Sequence, residues 1–98
     1  MNKDEILRYL KEHKQELRER FGVIKIGLFG SYAKNENTQS SDIDISVELD
    51  KKYKKLHNFL SLERELSNVF GKKVDLGIES TLKPHAKKQI EKEIIYVQ

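Results

Sequence analysis

Gly30-Ser31 and, after ten intervening residues, Asp42-Ile43-Asp44 are the residues of this chain whose types and spacing could do chemistry. A glycine and a small hydroxyl at a strand end can turn backbone N–H groups and an O–H toward a phosphate. Asp42 and Asp44, at alternate positions of an extended segment, project from one face with about 6–7 Å between them. At that distance two ionised carboxylates repel by about 2–3 kcal/mol if the effective dielectric is near 20. Aspartate is also disfavoured in strands, so the pair needs compensation. A divalent cation that prefers oxygen ligands, such as magnesium, supplies it. Asp75, in Lys73-Val74-Asp75-Leu76, offers a third carboxylate in phase with apolar neighbours.

Each feature by itself has a plainer reading. Asp-x-Asp alone is more readily a solvated strand face, and Gly-Ser alone an ordinary turn with Ser31 as a helix cap. The combination weighs differently, because three carboxylates meeting beside a phosphate turn would be strongly unfavourable without a cation. Phosphoryl chemistry uses such a set to neutralise a triphosphate and to keep attacking and leaving oxygens in line.

The elements that must position these residues follow from pattern. Asn2 with Glu5 three residues later forms a capping-box signature. Ile6, Leu7, Leu10, Leu17 and Phe21 recur at helical spacing up to Gly22, which predicts one helix over 3–21. Residues 23–29 are β-rich and read as a buried strand broken by Gly30. Residues 31–34 suit a short helical turn, and 35–41 an exposed polar loop. From Asp42 to Leu49 the chain alternates: Asp42, Asp44, Ser46 and Glu48 point one way, Ile43, Ile45, Val47 and Leu49 the other. A lysine-rich connection over 50–55 precedes a second long helix marked by Leu56, Phe59, Leu60, Leu66, Val69 and Phe70 and ended by Gly71. Residues 74–78 alternate again, Pro84 opens a last helix to about Glu93, and 94–97 suit a short closing strand. The fold expected is α/β (α+β): a small mixed sheet of three to four strands with helices packed on one face and the carboxylate face open.

Composition narrows the function classes. The chain of 98 residues is expected to be a single domain over 1–98. Its 37% hydrophobic residues are committed to a core, with little left for an apolar ligand pocket. A net charge of +3 suits an anionic ligand such as a nucleotide without demanding nucleic acid. Direct RNA binding is not expected, since aromatics interleaved with Lys or Arg are missing. Lys51, Lys52, Lys54 and Lys55 read as a solvated connection. With no cysteine there are neither disulfides nor thiolate metal sites, and His13, His57 and His85 lack metal-ligand spacing. No signal-peptide core or bilayer-length apolar run is present, so a cytoplasmic protein without a membrane partner is expected. Tyr32 could line a base pocket or pack inside. Leu56, Phe59, Leu66 and Phe70 are expected in the core.

Gly30-Ser31-Tyr32-Ala33-Lys34, then Ser41-Asp42-Ile43-Asp44-Ile45 and later Val74-Asp75-Leu76, resembles the minimal nucleotidyltransferases of the DNA polymerase β-like superfamily. The similarity runs from the first strand to Leu82-Lys83-Pro84 and the closing Ile94-Ile95-Tyr96-Val97. It implies that Gly30, Ser31 and Lys34 bind the nucleotide phosphates. It implies further that Asp42 and Asp44 bind a pair of magnesium ions, and that Asp75 completes the metal site and helps activate an acceptor hydroxyl. The implied reaction moves AMP from ATP and releases pyrophosphate. Many relatives carry Arg-Gly where this chain has Lys34-Asn35. Lysine keeps the charge without the bidentate fork, and Asn35 can still hold a left-handed turn. A domain this small has room for little beyond the nucleotide, so the acceptor is expected to be a protein, or a second chain to complete the site. Within the resemblance such domains pair with a helical HEPN-type protein as antitoxins that adenylylate it. The alternative is a non-catalytic module of the same fold that masks its partner.

Overall fold

The apolar spacing that predicts one helix over 3–21 folds as two, in a computed structural model that describes all 98 residues. Helix α1 (Lys3–Glu12) starts on the expected capping box: Glu5 N–H donates to Asn2 Oδ1, and Asn2 N–H donates to the Glu5 side chain. His13 interrupts the run before α2 (Lys14–Phe21). Its ring stacks on Tyr9 and its Nδ1 lies 2.9 Å from the Tyr9 carbonyl, so a side chain shares an acceptor that a helix reserves for backbone. No glycine or proline announces the break. Gly22 stops α2 in the left-handed conformation, as expected, and a Cβ there would also strike the Tyr53 ring.

Strand β1 (Val23–Phe29) leads into the four-residue α3 (Gly30–Ala33). Strand β2 (Ile43–Leu49) follows the polar loop, so Asp42 stands one residue before the strand rather than in it. A 3-10 turn over Lys51–Tyr53 leads to α4 (Leu56–Phe70), ended by left-handed Gly71. Strand β3 (Val74–Ile78), a turn over Glu79–Thr81, α5 (Pro84–Glu91) and a two-residue β4 (Ile95–Tyr96) complete the chain. No helix is long and apolar enough to cross a membrane.

The sheet order is β3-β2-β1-β4, with β1 antiparallel to both β2 and β4, and β2 parallel to β3. Ile43, Ile45, Val47 and Leu49 enter the core together with Ile6, Leu10, Leu17, Leu62 and Leu66, all of them buried. Those residues place α1, α2 and α4 on one face of the mixed sheet. One core expectation needs correction on α4: Leu56 is 74% exposed; Leu60 and Val69, which helped to mark the helix, are exposed as well, while Leu62 is buried. Helix α4 burial is set by Leu62, Leu66 and Phe70, four residues apart, and Leu56 is the first residue of the helix.

The opposite face is open only in part. Ser80 in the turn after β3 donates its N–H and hydroxyl to Glu48, and Ile94 packs over Gly27. Gly27 and Glu48 belong to the carboxylate face, so the returning chain roofs one end of it.

Candidate active site

The alternation of β2 and β3 sets which face their carboxylates take, and the parallel pairing sets how far apart they stand. Asp44 pairs in register with Asp75, as Ile43 does with Val74 and Ile45 with Leu76. Registered residues of neighbouring strands point to the same face, about 4.8 Å apart. Asp75 is exposed and Asp44 half-buried. Edge strand β3 is held by α4: Ser67 Oγ accepts the Val74 N–H at 3.0 Å and Glu63 accepts the Leu76 N–H at 3.4 Å. These bonds occupy the outer edge and leave Asp75 paired inward against β2.

Across the other side of β2, Phe29 is the partner of Asp44, which brings Gly30 beside it. Gly30 has φ +77°, and a Cβ on it would land on the Asp44 carboxylate. Glycine is therefore required twice, by backbone angle and by the closeness of a charged side chain. The Gly-Ser turn and the Asp-x-Asp pair thus form one packed unit.

Burial pushes the Asp44 carboxyl up to about 6, and the charges of Asp75, Asp42 and Glu93 add to the effect. Asp42 is exposed at the lip, with Lys73 Nζ 4.0 Å from its Oδ2. The structure therefore brings Asp42, Asp44, Asp75 and Gly30 into one neighbourhood. Ser31 follows Gly30 half-buried at the start of α3, and Lys34 caps the other end of that turn. Tyr32 is buried in the core. Asn35, at φ +60°, holds the left-handed turn.

Glu93 is the participant that sequence reasoning missed. Its Oε1 accepts the Gly30 N–H at 3.1 Å, and its Oε2 lies 3.0 Å from Lys34 Nζ. Nothing in the sequence marks a glutamate 63 residues away as a neighbour of the Gly-Ser turn.

The donor set suits magnesium in its usual open mode. All three candidate ligands are carboxylates, and no group of three is drawn tightly enough to enclose an ion alone. Magnesium keeps several waters and takes one or two carboxylates plus substrate phosphates. Asp44 and Asp75 side by side, with solvent beyond, fit that requirement.

Comparison with known proteins gives the family of the chain. Residues 10–97 match the family model of the nucleotidyltransferase domain. The protein adenylyltransferase MntA of Thermococcus cleftensis is 44% identical over 94 residues, 96% of this chain and 94% of that one. A solved candidate minimal nucleotidyltransferase superposes with a TM-score of 0.80 at 30% identity, covering 97% of this chain and 95% of that one. A rebuilt structure of the tri-AMPylated HEPN toxin of Shewanella oneidensis with its MNT antitoxin gives a TM-score of 0.68 at 21% identity, covering 94% of this chain and 71% of that one, a likeness of fold alone. On the strength of the near-complete family match and of an MntA relative aligned almost end to end, the chain belongs to the nucleotidyltransferase domain family.

Proposed function

We propose that this chain is a magnesium-dependent adenylyltransferase that moves AMP from ATP to a hydroxyl of a partner protein. One observation carries the reading: Asp44 is in register with Asp75 while its carboxylate lies against the Gly30 backbone. Phosphate turn and acidic pair then face one volume, as nucleotidyl transfer requires. Asp42, Asp44 and Asp75 would hold the cations, which when bound neutralise the triphosphate and lower the pKa of an attacking hydroxyl.

The protein's own groups do the rest. The Gly30 N–H, the Ser31 hydroxyl and the Lys34 ammonium are donors for phosphate oxygens. At the open end of the face an acceptor hydroxyl gives its proton to a carboxylate, Asp75 being the most accessible on the sheet. Its oxygen bonds to the α-phosphorus of ATP as the bond from that phosphorus to the pyrophosphate oxygen breaks. The positive charge of Lys34 meets the negative charge that develops there.

The acceptor is taken to be a protein by analogy with relatives of this chain. The relative in Thermococcus cleftensis is named for protein adenylylation, and the Shewanella oneidensis antitoxin is seen with an AMPylated HEPN toxin. We take the partner of this chain to be a helical HEPN-type protein, silenced by the modification in a heteromeric complex. A purely masking module gains nothing from gathering carboxylates that repel.

Labelled ATP and magnesium, incubated with the cognate helical protein, are expected to label that protein. The double replacement Asp42→Asn with Asp44→Asn is expected to cut transfer by at least a thousandfold with circular dichroism unchanged. Transfer at the native rate by the double variant would refute the metal assignment.

A further inference from the structure

The Gly30–Lys34 cradle already holds an anion of the protein's own. Glu93 places one carboxylate oxygen on the Gly30 N–H at 3.1 Å and the other on Lys34 Nζ at 3.0 Å, so it spans both ends of α3. Two anionic oxygens on one carbon are the nearest a protein side chain comes to two oxygens on phosphorus. We propose that Glu93 is an intramolecular stand-in for a nucleotide phosphate, and that a nucleoside triphosphate binds by exchanging it off Gly30 and Lys34. This deepens the nucleotide-site reading above and rests on it.

The surroundings favour exchange over a permanent lock. Glu93 shares its neighbourhood with Asp44, a like charge pressed against the same glycine. The Lys34 and Glu93 side chains are 48% and 28% exposed, so water can replace each contact as it breaks. Glu93 follows α5, which buries no residue fully and can shift at little cost in packing. The chain beyond Glu93 is anchored: Ile94 packs over Gly27, Tyr96 and Ile95 pair with Gly27 and Leu28, and Val97 N–H donates to Ile26 C=O at 2.9 Å. Release therefore moves the Glu93 side chain and α5 while β4 stays in the sheet. Nucleotide-free protein keeps Gly30 and Lys34 satisfied, and a ligand without a phosphate has nothing to exchange for Glu93. Competition of this kind lowers the apparent affinity for the right ligand by the fraction of molecules in which the cradle is closed.

Calorimetry with magnesium and ATP, on wild type, Glu93→Ala and Glu93→Gln, tests the exchange. Glu93→Ala is expected to bind ATP about three- to tenfold tighter, about 0.7–1.4 kcal/mol, and to lower KM. Glu93→Gln should lie between, since its amide oxygen still accepts the Gly30 N–H while the ion pair is gone. Hydrogen exchange on the wild type provides a readout that charge removal alone would not move. Amides of α5 are expected to exchange faster when ATP binds, against slower exchange around Gly30. If ATP binds the wild type but Glu93→Ala binds it no better, or if α5 becomes more protected, the stand-in is refuted and the nucleotide site survives. If wild-type protein binds no ATP with magnesium, both readings fall together.

Discussion

Asp44 offers a test in which stability and function move in opposite directions. Its carboxyl is pushed from an ordinary 3.8 to about 6, by burial first and then by Asp75, Asp42 and Glu93. Two units correspond to about 3 kcal/mol at 1.36 kcal/mol per unit. Coulomb's law gives a similar size: two charges about 5 Å apart at an effective dielectric of 20 repel by about 3 kcal/mol. Solvent reaches this group, and the repulsion belongs to the cluster rather than to one member. An expectation of about 1–2 kcal/mol is therefore appropriate. The sign follows from the direction of the shift. A carboxyl whose folded pKa is raised destabilises the fold when ionised, so metal-free protein gains stability as pH falls from about 6 toward 4. Above pH 7, in chelator, Asp44→Asn should then be more stable than wild type by about 1–2 kcal/mol, a rise of roughly 5–15 °C in Tm for a domain of this size. The advantage should shrink through the window from 6 to 4 and vanish below it. Magnesium should raise the Tm of wild type and leave the variant unmoved. Thermal unfolding at pH 8 and pH 4, with and without chelator, reads all of this. A variant no more stable than wild type in chelator at pH 8 would refute the claim that these carboxylates strain the metal-free fold.

Two glycines on the carboxylate face should behave oppositely. Gly30→Ala meets both a φ of +77° and the Asp44 carboxylate, and is expected to cost at least about 2 kcal/mol in urea unfolding and to abolish transfer, whereas Gly77→Ala, with open space around its Cβ, should stay within about 0.5 kcal/mol of wild type. Ser46, 2% exposed between Gly27 and Gly77, has a hydroxyl with no hydrogen-bond partner, so Ser46→Ala should be neutral or stabilising by up to about 1 kcal/mol in the same assay.

Sequence by itself determined much of what depends on neighbours along the chain. Asn2 with Glu5, Gly22, Gly71 and Pro84 fixed helix ends through local hydrogen bonds and backbone angles, and each stands where expected. Alternation settled that Asp44 shares a face with Ser46 and Glu48, and Asp75 with Gly77, because a strand repeats every two residues whatever lies beside it. The hydrophobic period could not reveal the break at His13, since Leu10 and Leu17 remain two turns apart on either side of it. Nor could it separate the exposed Leu56 from the buried Leu62, because both lie in an apolar helix whose facing side is chosen by the sheet.

Tertiary structure alone decided what makes the site. The crossover through α4 laid β3 parallel to β2 and matched Asp75 to Asp44, where a shift of one residue would have turned Asp75 to the helical face. The return of the chain over the sheet brought Glu93 to the Gly30 N–H. Both contacts join residues far apart in sequence, and their register is chosen by packing of the whole core, which no local period records.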